Sequence, residues 1–168
     1  ILSHRPSYEK ISSDIKFFEI IKKSYPKIKF GICTNNKDIY REYKKLINID
    51  IVQMALNPLD FASNRSFIEV LLENATQVQA RSILCNGLLS GKYSGKSQFD
   101  DLMRQRYQQA HLKIHFQEKM RIIGKVINEL EREFGDRKAT IPIILYSIFE
   151  KLPFIKFVIL KLMKNLMK

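Results

Sequence analysis

Any chemistry in this sequence has to come from polar side chains set at the ends of short apolar runs. His4 follows Ile1-Leu2-Ser3, and Cys33 and Thr34 close the run from Ile28. Gln53 interrupts the run Ile51–Leu56 and Asn57 follows it, while Ser82 and Leu84 end the run from Gln77. In parallel α/β folds ligands lie at the carboxyl ends of strands, so these positions are the first candidates for a site. A histidine there is a candidate site residue, although a hydrogen-bonded structural histidine satisfies the same pattern. Gln53 is more telling. A buried amide without a partner costs about 1–3 kcal/mol, so Gln53 requires one in the protein or in a ligand.

The segment Gly87-Leu-Leu-Ser-Gly91-Lys92-Tyr93 invites comparison with a phosphate-binding loop. That motif needs four residues between its glycines and a Ser or Thr after the lysine. Here three residues intervene and Tyr93 follows, so it is not a P-loop. Two readings stand: an ordinary turn that its glycines permit, or a loop wrapping a dinucleotide pyrophosphate with Lys92 as charge partner. His111 and His115 share a helix face at a spacing zinc ligands use, but no Glu accompanies them as in zinc proteases, and they read as surface residues. Cys33 and Cys85 lack a CxxC partner, and spacing alone supports no disulfide. No metal site is expected.

The elements that must position these residues alternate. Strands are predicted at Ile28–Cys33, Ile51–Leu56, Gln77–Ser82 and Phe154–Leu160, with Ile1-Leu2 as the stump of a fifth. Gln77 and Gln79 make the third less apolar than a strand buried on both faces. Apolar residues at helical spacing mark helices through Ile11–Tyr25, through Ile39–Ile47 with Asn36 as N-cap, and through Phe67–Leu71 with Asn64 or Ser66 as cap. A long helix runs through Phe116–Phe134 and stops at Gly135. The last, through Ile141–Ile148, is opened by Thr140 with Pro142 in its first turn. Strand–helix alternation without repeats or linkers implies one α/β domain over residues 1–168 with a parallel sheet.

The chain has 168 residues, enough for a core, with 45% apolar and 27% charged residues. Two cysteines exclude a disulfide scaffold, and Ile141–Phe149, the longest apolar stretch, is far short of the ~20 residues of a membrane helix. No signal peptide is read in the opening residues, and a cytoplasmic location is expected. The net charge of +12 comes from Lys and Arg dispersed among acids, so no specific nucleic-acid partner is expected. Only Lys151–Lys168 is purely basic, and there Leu160, Met163, Leu166 and Met167 form an apolar stripe. That stripe suits an interfacial helix or a helix packed on further strands.

Taken in order, these segments resemble the aldo-keto reductases. His4-Arg-Pro resembles the end of barrel strand four, and Lys27-Ile-Lys-Phe-Gly31-Ile that of strand five. Asp50-Ile-Val-Gln53 with Asn57-Pro-Leu-Asp60 is similar to strand six. Ala80-Arg-Ser-Ile-Leu84 through Gly87-Leu-Leu-Ser-Gly91-Lys92-Tyr93, followed by Phe99-Asp-Asp-Leu102, is similar to strand seven and its loop and is the most specific match. The resemblance implies an α/β fold, a partial (β/α)8 TIM barrel comprising roughly strands four to eight, from an oxidoreductase that reduces small-molecule carbonyls with NADPH. It implies that His4 orients the substrate carbonyl. For the cofactor it implies Cys33, Thr34 and Gln53 at the nicotinamide carboxamide, Arg81 stacked on the nicotinamide, and Ser82, Leu84 and Lys92 along the pyrophosphate.

The sequence departs from that pattern in places. The family's Ser-Asn pair at strand five reads Cys33-Thr34, with Asn35 one residue later, and the Pro of its strand-seven motif is Ile83. The stretch Leu160–Lys164 lacks the glycine of the loop that holds the adenosine 2′-phosphate. The family's catalytic Asp, Tyr and Lys belong to segments ahead of His4, and the chain opens on Ile instead of Met. The expectation is therefore the C-terminal half of a longer reductase, inactive alone and prone to self-association through an open sheet edge. The alternative is a non-catalytic relative that binds a nucleotide or a partner protein.

Overall fold

Five parallel strands lie side by side in sequence order in a computed structural model of the chain, which describes residues 1–134 and 141–159. They are β1 (Leu2–His4), β2 (Gly31–Cys33), β3 (Ile51–Ala55), β4 (Gln77–Arg81) and β5 (Ile155–Ile159). The helices are α1 (Ile11–Ser24), α2 (Lys37–Leu46), α3 (Phe61–Glu73), α4 (Leu102–Gln105), α5 (Ala110–Phe134) and α6 (Ile141–Glu150). The chain divides into two compact units: a sheet unit, Ile1–Ile83 with the segment from Phe149, and a helical unit, Leu84–Ile148.

In the sheet unit the strands follow one another as β1-β2-β3-β4-β5. The crossovers that stay within this unit, through α1, α2 and α3, carry their helices on one face of the sheet when they share one hand. Burial shows which face this is. Ile32, Val52, Met54, Val78 and Ala80 are fully buried, whereas Ile51, Gln53, Ala55, Gln77, Gln79 and Arg81 alternate with them and stay half-buried. The amides that made β4 look too polar therefore sit on the uncovered face. The covered face is completed by Phe18, stacked on Phe30 at 4.6 Å, and by the buried Tyr40, Tyr43, Phe67 and Leu71. Each such side chain contributes about 1.5–3 kcal/mol by leaving water.

Local chemistry sets the boundaries. The Asn36 side chain accepts from the Asp38 and Ile39 N–H groups (2.8 and 3.1 Å) and caps α2 as its sequence predicts. Strand β2 begins at Gly31, later than the apolar run suggests. The Phe30 N–H is taken by the Asp50 carboxylate (2.9 Å), and the Ile28 N–H closes a turn on the Tyr25 carbonyl. Helix α3 starts six residues before Phe67. Asn57 turns the chain by accepting from the Leu59 N–H, Asp60 takes the cap position, and Asn64, expected as a cap, lies inside the helix. Helix α5 likewise starts at Ala110, ahead of Phe116. Gly135, Thr140 and the apolar stripe from Leu160 lie outside the described residues.

A polar clasp ties β1 to the helices. Asp14 of α1 accepts from Ser3 of β1 and from the Tyr43 hydroxyl of α2 (2.6 Å). Burial first, and then the bond to Asp14, push the Tyr43 phenol well above its usual range, and burial raises Tyr40 also. A raised folded-state value favours the neutral phenol. The stabilisation is fully present below pH ~10 and is lost as pH rises further, because the unfolded chain ionises first. Tyr43→Phe should lower stability at pH 7 by about 1–2 kcal/mol, yet flatten the further loss between pH 10 and 12. Urea unfolding at both ends of that range checks it, and an unchanged alkaline slope would refute the assignment.

Candidate functional site

The pairing register aligns His4 with Cys33, Cys33 with Gln53, and Gln53 with Gln79, one row across four strands. Side chains at equivalent pleat positions point to one side, and here that side is the one the helices leave uncovered. His4 is exposed on the edge strand, Cys33 is buried, and the two glutamines are half-buried. Gln53 Nε2 donates to Gln79 Oε1 at 2.8 Å. That is the partner Gln53 needed. Only one N–H of Gln53 is engaged, so its carbonyl oxygen and second N–H remain for a ligand. Gln79 was missed as a site residue, although a second amide at the same strand phase was the signal for it.

One pleat repeat further along, Ala55 pairs with Arg81. Among the described residues the Arg81 Nε and the Gln77 Oε1 are buried without a hydrogen-bond partner, while Arg81 Nη1 reaches Ser82 Oγ at 3.4 Å. An unmet donor on a guanidinium costs about 1–3 kcal/mol or more, and an acceptor brought by a ligand would restore that. Ser82 follows with φ 59°, a left-handed conformation a residue with a Cβ adopts at a cost of about 1–2 kcal/mol.

The end of β2 is engaged differently. Thr34 is buried, its hydroxyl accepts from the Asn36 N–H (2.9 Å), and its own N–H bonds the Gln53 carbonyl. The Asn35 side chain acts as a surrogate strand residue. Its oxygen accepts from the Ala55 N–H (2.8 Å), and its Nδ2 donates to the Ala55 carbonyl (2.7 Å) and to Asn64 (2.9 Å).

Leu84 and Lys92 belong to the helical unit. The Leu84 carbonyl accepts from both Gly87 and Leu89, winding a tight turn in which Cys85, Asn86 and Gly87 all have positive φ (48°, 57° and 86°). Gly91, at φ 79°, ends it, and Lys92 follows as an exposed side chain. Glycines at 87 and 91 take these angles without the Cβ penalty that Cys85 and Asn86 bear. His115 is exposed, and the His111 side chain lies outside the description. Among the described residues no three His, Cys, Asp or Glu side chains group as metal ligands, and no helix is long and apolar enough to cross a membrane.

No family model matches the chain, and no curated protein matches it in sequence. A solved structure matches it in fold: the glycerol dehydrogenase of Gluconobacter oxydans, an aldo-keto reductase, with a TM-score of 0.61 at 18% identity. The match covers 87% of this chain and 45% of that one, so the chain spans less than half the length of the enzyme it matches. At that identity the likeness concerns fold. The parallel five-stranded sheet with its helices is an α/β architecture similar to part of that enzyme's TIM barrel.

Proposed function

We propose that the chain supplies the cofactor-binding side of an NAD(P)H-dependent oxidoreductase of aldo-keto reductase type, which reduces a small-molecule carbonyl. The observation that carries this is the row His4–Cys33–Gln53–Gln79 on the uncovered sheet face, with the unmatched Arg81 N–H one pleat repeat beyond it. The residues fit a nicotinamide ring, since the open amide edge of Gln53 complements a carboxamide and Arg81 offers a donor beside it. When bound, the nicotinamide supplies hydride to the carbonyl carbon. His4, exposed and without a side-chain hydrogen bond among the described residues, would donate to the carbonyl oxygen and stabilise the charge that grows there. Cys33 and Thr34 would border the carboxamide, and Ser82, Leu84 and Lys92 would meet the diphosphate, with NADP as the cofactor.

Titration of NADPH into the chain, followed by nicotinamide fluorescence and by amide NMR shifts, tests the reading. Binding should weaken about tenfold in Gln53→Leu and in Arg81→Leu, the loss expected for one good hydrogen bond to a ligand. Folded protein that leaves NADPH unbound, or binding indifferent to both substitutions, would remove it.

A second reading, a non-catalytic module that binds a nucleotide or a protein partner, is favoured by Asn35. Its amide is engaged by Ala55 and Asn64 and leaves the end of β2 little to offer a carboxamide. Carbonyl-dependent consumption of NADPH by a protein carrying this chain together with the family's Asp, Tyr and Lys separates the two.

A further inference from the structure

The stretch Lys92–Lys125 of the helical unit carries eight Lys and Arg against three acids. Two of those acids are neutralised locally, Asp101 by Arg104 at 3.0 Å and Glu118 by Arg121 at 2.6 Å. Lys96 and Lys113 have no carboxylate partner among the described residues, and both line the same hollow of about 420 Å³. No acid joins them in that lining. Two lysines bordering one concave surface whose lining holds no acid raise the local potential, and the field there favours an anion.

The rest of the lining is polar and well supported. Ser97, Gln98, Gln108 and Gln117 bring a hydroxyl and three amides to the hollow. The turn Ser94–Ser97 is fixed by two bonds, Ser94 N–H to Ser97 Oγ (2.8 Å) and Ser97 N–H to the Ser94 carbonyl (3.0 Å). It lies against α5, where a Cβ on Gly95 would stand 3.9–4.0 Å from Gln117 and Met120. Phe116, buried on α5 and stacked with Tyr107 at 5.3 Å, gives a firm apolar base. A second hollow, of about 500 Å³, shares Gly95, Lys96 and Gln117, so Lys96 stands between the two.

We propose that this hollow is a binding site for a small phosphorylated, hydroxyl-bearing compound of sugar-phosphate size. Lys96 and Lys113 hold the phosphate, since lysine binds it as a point charge, and the amides with Ser97 hydrogen-bond the hydroxyls. The volume suits a ligand of that size. None of these residues belongs to the nicotinamide reading, so the two stand or fall separately.

Calorimetric titration of the whole chain with ribose 5-phosphate tests the site, with ribose and inorganic phosphate as control arms. Saturable binding of ribose 5-phosphate is expected, weakened about tenfold by Lys96→Ala or Lys113→Ala and more by both. Added salt should weaken it, and Lys96→Arg should retain it. Both lysines are exposed, so the variants should melt like the parent, and a thermal melt verifies this. Folded protein that does not bind ribose 5-phosphate, or binds it equally well in the double variant, overturns the proposal. Ribose binding equally well would overturn the phosphate assignment, and inorganic phosphate binding as tightly would overturn the sugar-phosphate assignment.

Discussion

Asp101→Ala should cost the helical unit about 3 kcal/mol, far more than a surface carboxylate normally contributes. Asp101 does two things at once. One carboxylate oxygen accepts from the Arg104 N–H (3.0 Å) and caps α4, and the other pairs with the Arg104 guanidinium. Arg104 is 5% exposed, and its guanidinium lies over the rings of Tyr93 (5.0 Å) and Phe99 (5.7 Å), with the Tyr93 hydroxyl as another partner. Removing the carboxylate leaves a positive charge among aromatic rings, and the lost cap adds about 1 kcal/mol. The asymmetry is the useful part. Arg104→Met keeps most of the volume, and the carboxylate it leaves behind, Asp101, has a side chain 42% exposed that can be hydrated, so its cost should be smaller than that of Asp101→Ala although the contacts to Tyr93 and Phe99 are lost with it. Urea unfolding of both variants checks this, and equal losses would show that packing, not charge, holds Arg104.

Gly31→Ala should cost the sheet unit about 2–3 kcal/mol, and Gly31→Val more, because the obstacle is backbone. A Cβ at Gly31 would overlap the carbonyl oxygen of Ile51 on the neighbouring strand and stand 2.5 Å from Leu2 Cδ2. Leu2 is partly exposed and can turn aside. The Ile51 carbonyl cannot do so without disturbing the β2–β3 pairing, in which Gly31 faces Ile51. Adding Leu2→Ala to Gly31→Ala should therefore restore little stability. Full recovery in that double variant would place the clash at Leu2 instead.

The order of the strands and of five helices was legible from apolar runs and from apolar residues repeating at the helical period, whereas α4, four residues long, is too short to show such a repeat and its sequence reads only as loop. Boundaries were less so. Nothing in Ile28–Phe30 announces that the Asp50 carboxylate, twenty residues later, takes the Phe30 N–H. Helix α3 hid its start in Asn57-Pro-Leu-Asp60, where an asparagine turn replaces the cap expected at Asn64 or Ser66. At the candidate site the need of Gln53 for a partner was readable, but the identity of Gln79 depends on register, which only pairing between distant segments fixes. The engagement of Asn35 with Ala55 was equally hidden, since it joins residues twenty apart.

The glutamine pair has a consequence for how the strands find one another. A parallel slip by a single residue would bring Gln53 opposite Val78 or Ala80 and turn one strand's amides toward the covered apolar face. Each misplaced amide would lose its hydrogen bond in a region without water. The bond between Gln53 and Gln79 then works as an alignment mark, formed in one register and penalised in the next. A sheet of three- to five-residue strands has few other ways to tell correct pairing from its nearest error.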